Sequence, residues 1–217
     1  MRVAFVIPAY NEGTVIGQVI HDLKKAASKK KYRYEIVVID DGSKDTTADE
    51  SRKAGAHVIS HILNSGTGSA TATGLSYAQQ NGFTIAVTLD ADGQHKAKDA
   101  LRGVELIQER EYDLLIGSRL LDPTGMSRVK ILGNKGLTAI TYLLFGISVT
   151  DSQSGLRIFS KRALDELRWK TSGFEFCSEM LWRAKQMNMS IEEYPIDAVY
   201  SAYSKAKGQN NWNAFNI

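Results

Sequence analysis

The sequence holds little of what marks a secreted, membrane-spanning or nucleic-acid-binding chain. A single cysteine, Cys177, excludes an internal disulfide and any cysteine-built metal site, and it fits a reducing compartment. The N-terminus runs straight into a strand-like stretch, without the charged and apolar regions of a signal peptide. The longest apolar stretch, Leu137 to Val149, falls short of the run of about 18 residues that spans a bilayer. The net charge of +3 is too small to imply a nucleic-acid partner. Glycines are missing after the first strand, where a Rossmann dinucleotide site needs them. No Walker loop is present, so ATP hydrolysis has no support. Neither an internal repeat nor a low-complexity linker divides the chain.

With 217 residues, 43% hydrophobic and 24% charged, the chain reads as one soluble domain, or a domain with an appendage. It is long enough to bury a sizeable core. Val3 to Ile7 reads as a buried strand stopped by Pro8. Further strands are expected at Glu35 to Ile39, His57 to Ile62, Phe83 to Leu89 and Leu114 to Ile116. Helical patterns lie between them, from about Thr14 to Ala27, Asp45 to Ala54, Ala70 to Gln80 and Asp99 to Arg110. Alternation at this spacing, with strands apolar on both faces, predicts an α/β fold: a mostly parallel central sheet flanked by helices. The second half is less regular. Leu137 to Phe145 and Phe174 to Met187 read as helices, Leu156 to Phe159 and Ile191 to Val199 as strands.

Two carboxylates, Asp90 and Asp92, emerge where the fourth strand should end. Side chains at i and i+2 leave an extended chain on the same side. Like charges that close repel unless a cation lies between them. Oxygen-only ligands favour a hard cation, Mg²⁺ or Mn²⁺. A polar turn is the alternative, since Asp-Gly is common turn chemistry. Position favours the metal. In open α/β sheets the ligand crevice lies at the carboxyl ends of the strands, and the polar clusters Pro8 to Glu12, Asp40 to Ser43, Asp90 to Gln94 and Gly117 to Arg119 all fall there. Gly66-Thr67-Gly68 lacks the third glycine of a dinucleotide fingerprint and reads as a tight turn.

Pro8-Ala-Tyr-Asn-Glu12, Asp40-Asp-Gly-Ser43, Asn64 to Ala70, Asp90-Ala-Asp-Gly-Gln-His95, Gly117-Ser-Arg119 and Ser154-Gly-Leu-Arg157 come in the order and spacing of the family 2 inverting glycosyltransferases. The chain resembles that family to about residue 208. It looks most like the branch that transfers a hexose to a polyprenyl (dolichyl or undecaprenyl) phosphate. The resemblance implies a GT-A fold and a nucleotide diphosphate sugar donor. It assigns Pro8, Tyr10, Asn11 and Glu12 to the base and ribose, and Asp41 to a carboxylate that accepts from a base N–H or a ribose hydroxyl. It assigns Asp90 and Asp92 to the metal pair and Gln94 to a further oxygen ligand. The divalent cation stabilises charge on the leaving diphosphate, which makes Asp92 catalytic. Arg119, also expected to be catalytic, and Arg157 match basic residues of the polyprenyl-phosphate branch. Arg128 and Lys130 lie where another phosphate-binding cation is expected. Arginine's fork suits phosphate; a cap or ion pair is the other reading of Arg119. His95 is expected to shape its loop. Two positions depart from the family's pattern: Thr67 stands where a lysine is usual, and Ala97 where a proline is often found.

A GT-A domain is thus expected over residues 1–200 and a flexible or membrane-proximal tail over 201–217. Within the tail, Tyr203 to Gly208 resembles a loop that closes over the donor, through Lys205 or Lys207. The Leu137 to Val149 stretch reads equally as a core helix or as one lying in the membrane interface. Lys24, Lys25, Lys29, Lys30, Lys31 and Arg33 form a basic run, either a solvated helix end or a membrane-surface patch. The expected location is cytoplasmic, peripheral at the inner face of the membrane. A rival reading transfers sugar to a saccharide hydroxyl, with Glu179 or Glu175 as base. Another is a non-catalytic nucleotide-sugar-binding module.

Overall fold

The computed structural model describes residues 1–122 and 146–197. Seven described strands form one sheet: β1 (Arg2–Ala9), β2 (Arg33–Asp40), β3 (His57–Ser60), β4 (Ile85–Thr88), β5 (Leu114–Ser118), β6 (Arg157–Phe159) and β7 (Ile191–Pro195). Their order across the sheet is β3-β2-β1-β4-β6-β5-β7. β1, β2, β3 and β4 are parallel neighbours, as are β5 and β7. The short strand β6 runs antiparallel to both β4 and β5. The described helices are α1 (Ile16–Ala27), α2 (Thr47–Lys53), α3 (Thr67–Gln80), α4 (Ala97–Arg110), α5 (Lys161–Glu166) and α6 (Phe176–Gln186).

Alternate strand residues feed opposite cores. Val3, Phe5 and Ile7 of β1 pack with α1 and α4, while Ala4 and Val6 pack with α3, α5 and α6. Both sets are fully buried, which is why these strands read as continuous apolar runs. The helices show the matching period. Ile16, Val19, Ile20, Leu23 and Ala27 of α1 are buried, spaced three or four apart on one face. α3 is held close to the sheet because it has a glycine where it crosses. A Cβ at Gly74 would stand 2.1 Å from Val6 Cγ1.

The expected α/β class and mostly parallel sheet are found. β7 is shorter than its alternating pattern, and α5 carries no expectation from the sequence, being a short helix of 6 residues set off by Ser160. The Ser160 hydroxyl accepts from the Ala163 N–H. No helix among the described residues is long and apolar enough to cross a membrane. The expected helix at Leu137 to Phe145, the cations Arg128 and Lys130, and the 201–217 tail lie outside the described residues.

Candidate active site

The parallel strands deliver their carboxyl ends to one rim. Ala9, Asp40, Thr88 and Ser118 end β1, β2, β4 and β5 there. Antiparallel β6 contributes its amino end instead: Arg157 is level with Thr88 on one side and Ile116 on the other. The loop before it, Asp151 to Leu156, therefore joins the same rim.

Asp90 and Asp92 follow β4. Thr88 Oγ1 donates to the Gly155 carbonyl at 2.9 Å, drawing that loop against the acidic turn. Gly155 has no room for a side chain, since a Cβ would stand 2.2 Å from Asp90 Oδ1 and 2.4 Å from Oδ2. His95 is almost fully buried and its Nε2 meets Asp90 Oδ2 at 3.1 Å. Burial works to raise the Asp90 pKa. The His95 hydrogen bond and charge, with the charges of Arg119 and Arg157, outweigh it and hold the carboxyl below its ordinary value. Asp92 goes the other way. Burial, then the Asp90 charge, push it up against opposing hydrogen bonds from Gln94. Gln94 donates its backbone N–H to Asp92 Oδ1 at 3.0 Å and its side-chain amide to Oδ2. In this arrangement Gln94 contacts the acidic pair through Asp92.

The donor set fits a hard divalent cation. Both groups are carboxylates, and the like-charge strain on Asp92 is what a cation between them relieves. Among the described residues no cluster of three His, Cys, Asp or Glu side chains forms. One or two carboxylates with substrate phosphates are a usual way of holding Mg²⁺.

The residues expected at the base and ribose line the other half of the rim. Pro8 lies within β1 opposite Ile39, and Tyr10 is exposed. Asn11, at φ 54°, donates its N–H to Ser43 Oγ at 2.9 Å and accepts from Lys44 N at 2.9 Å. The Glu12 N–H donates to Thr47 Oγ1 at 2.8 Å, and Glu12 is buried. Asp41 is buried and accepts from Ser65 N at 2.9 Å, Gly66 N at 2.8 Å and His61 Nδ1 at 2.7 Å. Three donors leave a carboxylate's fourth lone-pair position, so Asp41 both ties down the Asn64 loop and retains acceptor capacity.

The two described arginines differ. Arg119 forks onto Asp151, Nε to Oδ2 at 2.7 Å and Nη2 to Oδ1 at 2.9 Å. Asp151 is fully buried, and Glu193 of β7 fixes its backbone by accepting from the N–H groups of Thr150 and Asp151 at 2.7 and 3.0 Å. The ion-pair reading of Arg119 is therefore realised, and the fork aims the guanidinium. Arg157 is 1% exposed. It donates to the Ser152 carbonyl at 2.8 Å and lies over the Phe176 ring at 5.2 Å, while its Nε has no hydrogen-bond partner among the described residues. From that position it acts on the rim through its charge on Asp90.

Sequence reasoning did not identify Asp151, Glu193 or His61 as parts of the site, and it named Gly155 only within the Ser154-Gly-Leu-Arg157 motif. The Asp151-Ser-Gln-Ser-Gly155 run gave a signal, a polar loop ending in glycine. Glu193 and His61 gave none, because their partners lie far along the chain. A cavity of about 290 Å³ lined by Arg2, Arg33, Tyr34, Glu35 and Phe83 lies at the opposite end of the sheet, away from this chemistry.

Comparison with known proteins gives the family and the fold. The profile of glycosyl transferase family 2 matches residues 4–168. A UDP-N-acetylglucosamine–dolichyl-phosphate N-acetylglucosaminyltransferase of Methanococcus voltae is 39% identical, over 98% of this chain and 91% of its own length. An undecaprenyl-phosphate mannosyltransferase of Micrococcus luteus is 28% identical, over 95% of this chain and 87% of its own. Among solved structures, glucosyl-3-phosphoglycerate synthase from Mycobacterium tuberculosis, in complex with Mn²⁺ and UDP-glucose, superposes with a TM-score of 0.70 at 21% identity, over 95% of this chain and 74% of that one. The chain belongs to glycosyl transferase family 2 and is a glycosyltransferase of GT-A fold.

Proposed function

We propose that this glycosyltransferase moves a hexosyl unit, a hexose or its N-acetylamino form, from a nucleotide diphosphate sugar to a polyprenyl phosphate, with inversion and with a divalent metal. The observation that carries the reading is the pair of carboxylates, Asp90 and Asp92, on a rim that also holds Arg119. Such a pair suits a cation shared with a diphosphate. The two relatives described act on dolichyl and undecaprenyl phosphates, which supports the acceptor class.

When bound, the cation supplies Lewis-acid stabilisation of the leaving diphosphate. Asp90 and Asp92 are the ligands, and Gln94, which steadies Asp92, carries the amide oxygen expected as a further one. Pro8, Tyr10, Asn11, Glu12 and Asp41 hold the nucleoside. Arg119 holds the acceptor phosphate, with Arg128 and Lys130 expected from the sequence to add cations, and Arg157 adds its buried charge to the rim. A lipid phosphate is mostly dianionic near pH 7, since its second pKa is about 6. Its oxygen attacks the anomeric carbon opposite the leaving group without a protein base. The state of Glu179 supports this. Burial alone would raise its pKa, but hydrogen bonds from Thr171, Arg183 and Lys170 bring it down to about 2. A carboxylate so fully engaged is a poor proton acceptor. A lipid acceptor puts the reaction at a membrane surface, and the reading places it at the cytoplasmic face.

The test is to incubate the protein with a panel of nucleotide sugars, Mg²⁺ or Mn²⁺, and polyprenyl phosphate, and to identify products by mass spectrometry. A base-labile sugar phosphodiester is expected; a glycoside would overturn the acceptor assignment. Asp92→Asn is expected to abolish transfer while far-UV circular dichroism stays unchanged. Full activity in that variant or in EDTA would sink the metal mechanism.

A further inference from the structure

The segment between α5 and α6 is tied to α6 on one side and to the start of α3 on the other. Glu179, in the first turn of α6, accepts from Lys170 N at 3.0 Å, Thr171 N at 2.9 Å, Thr171 Oγ1 at 2.8 Å and Arg183 Nε at 2.7 Å. These bonds fix residues 170–172 as a strap. The strap lies across the start of α3. Ser172 O accepts from Gly68 N at 2.7 Å and from Ser69 N at 3.3 Å. Trp169 Nε1 donates back to Gly68 O at 3.0 Å. The approach is close enough to require both glycines. A Cβ at Gly66 would stand 2.4 Å from Ser172 O, and one at Gly68 2.7 Å from Thr171 O. The other end of the same loop is held by Asp41, through Ser65 N and Gly66 N. The amides at the α3 N-terminus, where a helix commonly binds anions, are thus occupied by a carbonyl of the protein itself.

We infer that Glu179 is a positioning residue for the nucleotide-sugar site: through the 170–172 strap it sets the place of the Asn64 to Ala70 loop. This rests on the proposed donor site, of which that loop is one wall. It gives Glu179 a role opposite to that of a base. A base acts on the acceptor and on turnover. A strap anchor acts on donor affinity and leaves turnover at saturating donor nearly intact.

The experiment compares wild type with Glu179→Gln, which leaves one oxygen for donors that now share two. Thr171→Val removes a single strap bond and is the second variant should Glu179→Gln fold poorly. Three quantities are read: the Kd for UDP and GDP with Mn²⁺ by calorimetry, the donor KM and kcat, and hydrogen exchange at the Gly68 and Ser69 amides. Glu179→Gln is expected to weaken nucleotide binding and raise donor KM about tenfold, with kcat within about threefold, and Thr171→Val to shift them the same way by less. Exchange at Gly68 and Ser69 is expected to accelerate in both variants. A collapse of kcat with unchanged Kd would make Glu179 a base and overturn the inference. Unchanged Kd, KM and exchange in both variants would overturn it too. If wild type binds no nucleotide, the donor site is wrong rather than the strap, and exchange at Gly68 and Ser69 still decides whether Glu179 holds that loop.

Discussion

At the scale of single residues the site depends on what is missing at Gly155. Its hydrogen is all that fits against the Asp90 carboxylate. Gly155→Ala must displace either that carboxylate or the loop that Thr88 holds. A misplacement of about 1 Å at a reacting centre costs on the order of 10²-fold in rate. We expect a loss of that size in kcat/KM with weakened Mn²⁺ binding, read by steady-state kinetics and calorimetry, at little change in Tm. Glu179 makes a pH-dependent contribution at the same scale. Its folded-state pKa, about 2, lies below the ordinary carboxyl value of 4.5. The stability it supplies is therefore complete above the ordinary range and is lost as pH falls toward about 2. Glu179→Gln should cost about 2 kcal/mol at pH 7, the scale of a charged hydrogen bond left unmade. Urea titrations from pH 7 down to about 3 should show the gap between the two proteins closing.

At the scale of elements, two contacts carry the arrangement. α3 crosses β1 where Gly74 meets Val6 and Ile39. Gly74→Ala overpacks this crossing and should destabilise by about 1–3 kcal/mol in urea unfolding, with donor KM little changed, since the contact lies beneath the sheet surface. β6 is the second element. Its direction brings Asp151 and Arg157 to the rim, and Glu193 of β7 braces the loop before it. Asp151→Asn removes the charge from the fork that holds partly buried Arg119. Removing one partner of a buried pair costs about 3–5 kcal/mol, and Arg119 keeps some exposure. A loss of about 2–3 kcal/mol is expected, with a raised acceptor KM.

At the scale of the whole molecule, the sheet separates chemistry from solvation. The basic run spans the end of α1 and the start of β2, and Arg33 pairs with Arg2 at the amino end of β1. Lys30 there is paired with Glu105 of α4. That end is opposite the rim, so replacing Lys29 and Lys31 by Glu should leave transfer to a polyprenyl phosphate in detergent within about twofold; a tenfold loss would show that the run serves the acceptor. The sequence by itself determined the layered α/β class, because strands buried on both faces must be apolar throughout and helices facing them must repeat at 3.6 residues. It also placed the two carboxylates at the rim, since Asp90 and Asp92 lie two apart just beyond a strand whose parallel neighbours end at the same edge. Residue spacing within one element is local information, fixed by backbone geometry. The antiparallel course of β6, the Asp151 fork on Arg119, the Glu193 brace and the Glu179 strap were decided only by tertiary structure. Each joins groups far apart along the chain, and three-residue β6 carries too few side chains to state its direction. A parallel β6 would have sent Arg157 to the far end of the sheet; long-range pairing set its place at the rim.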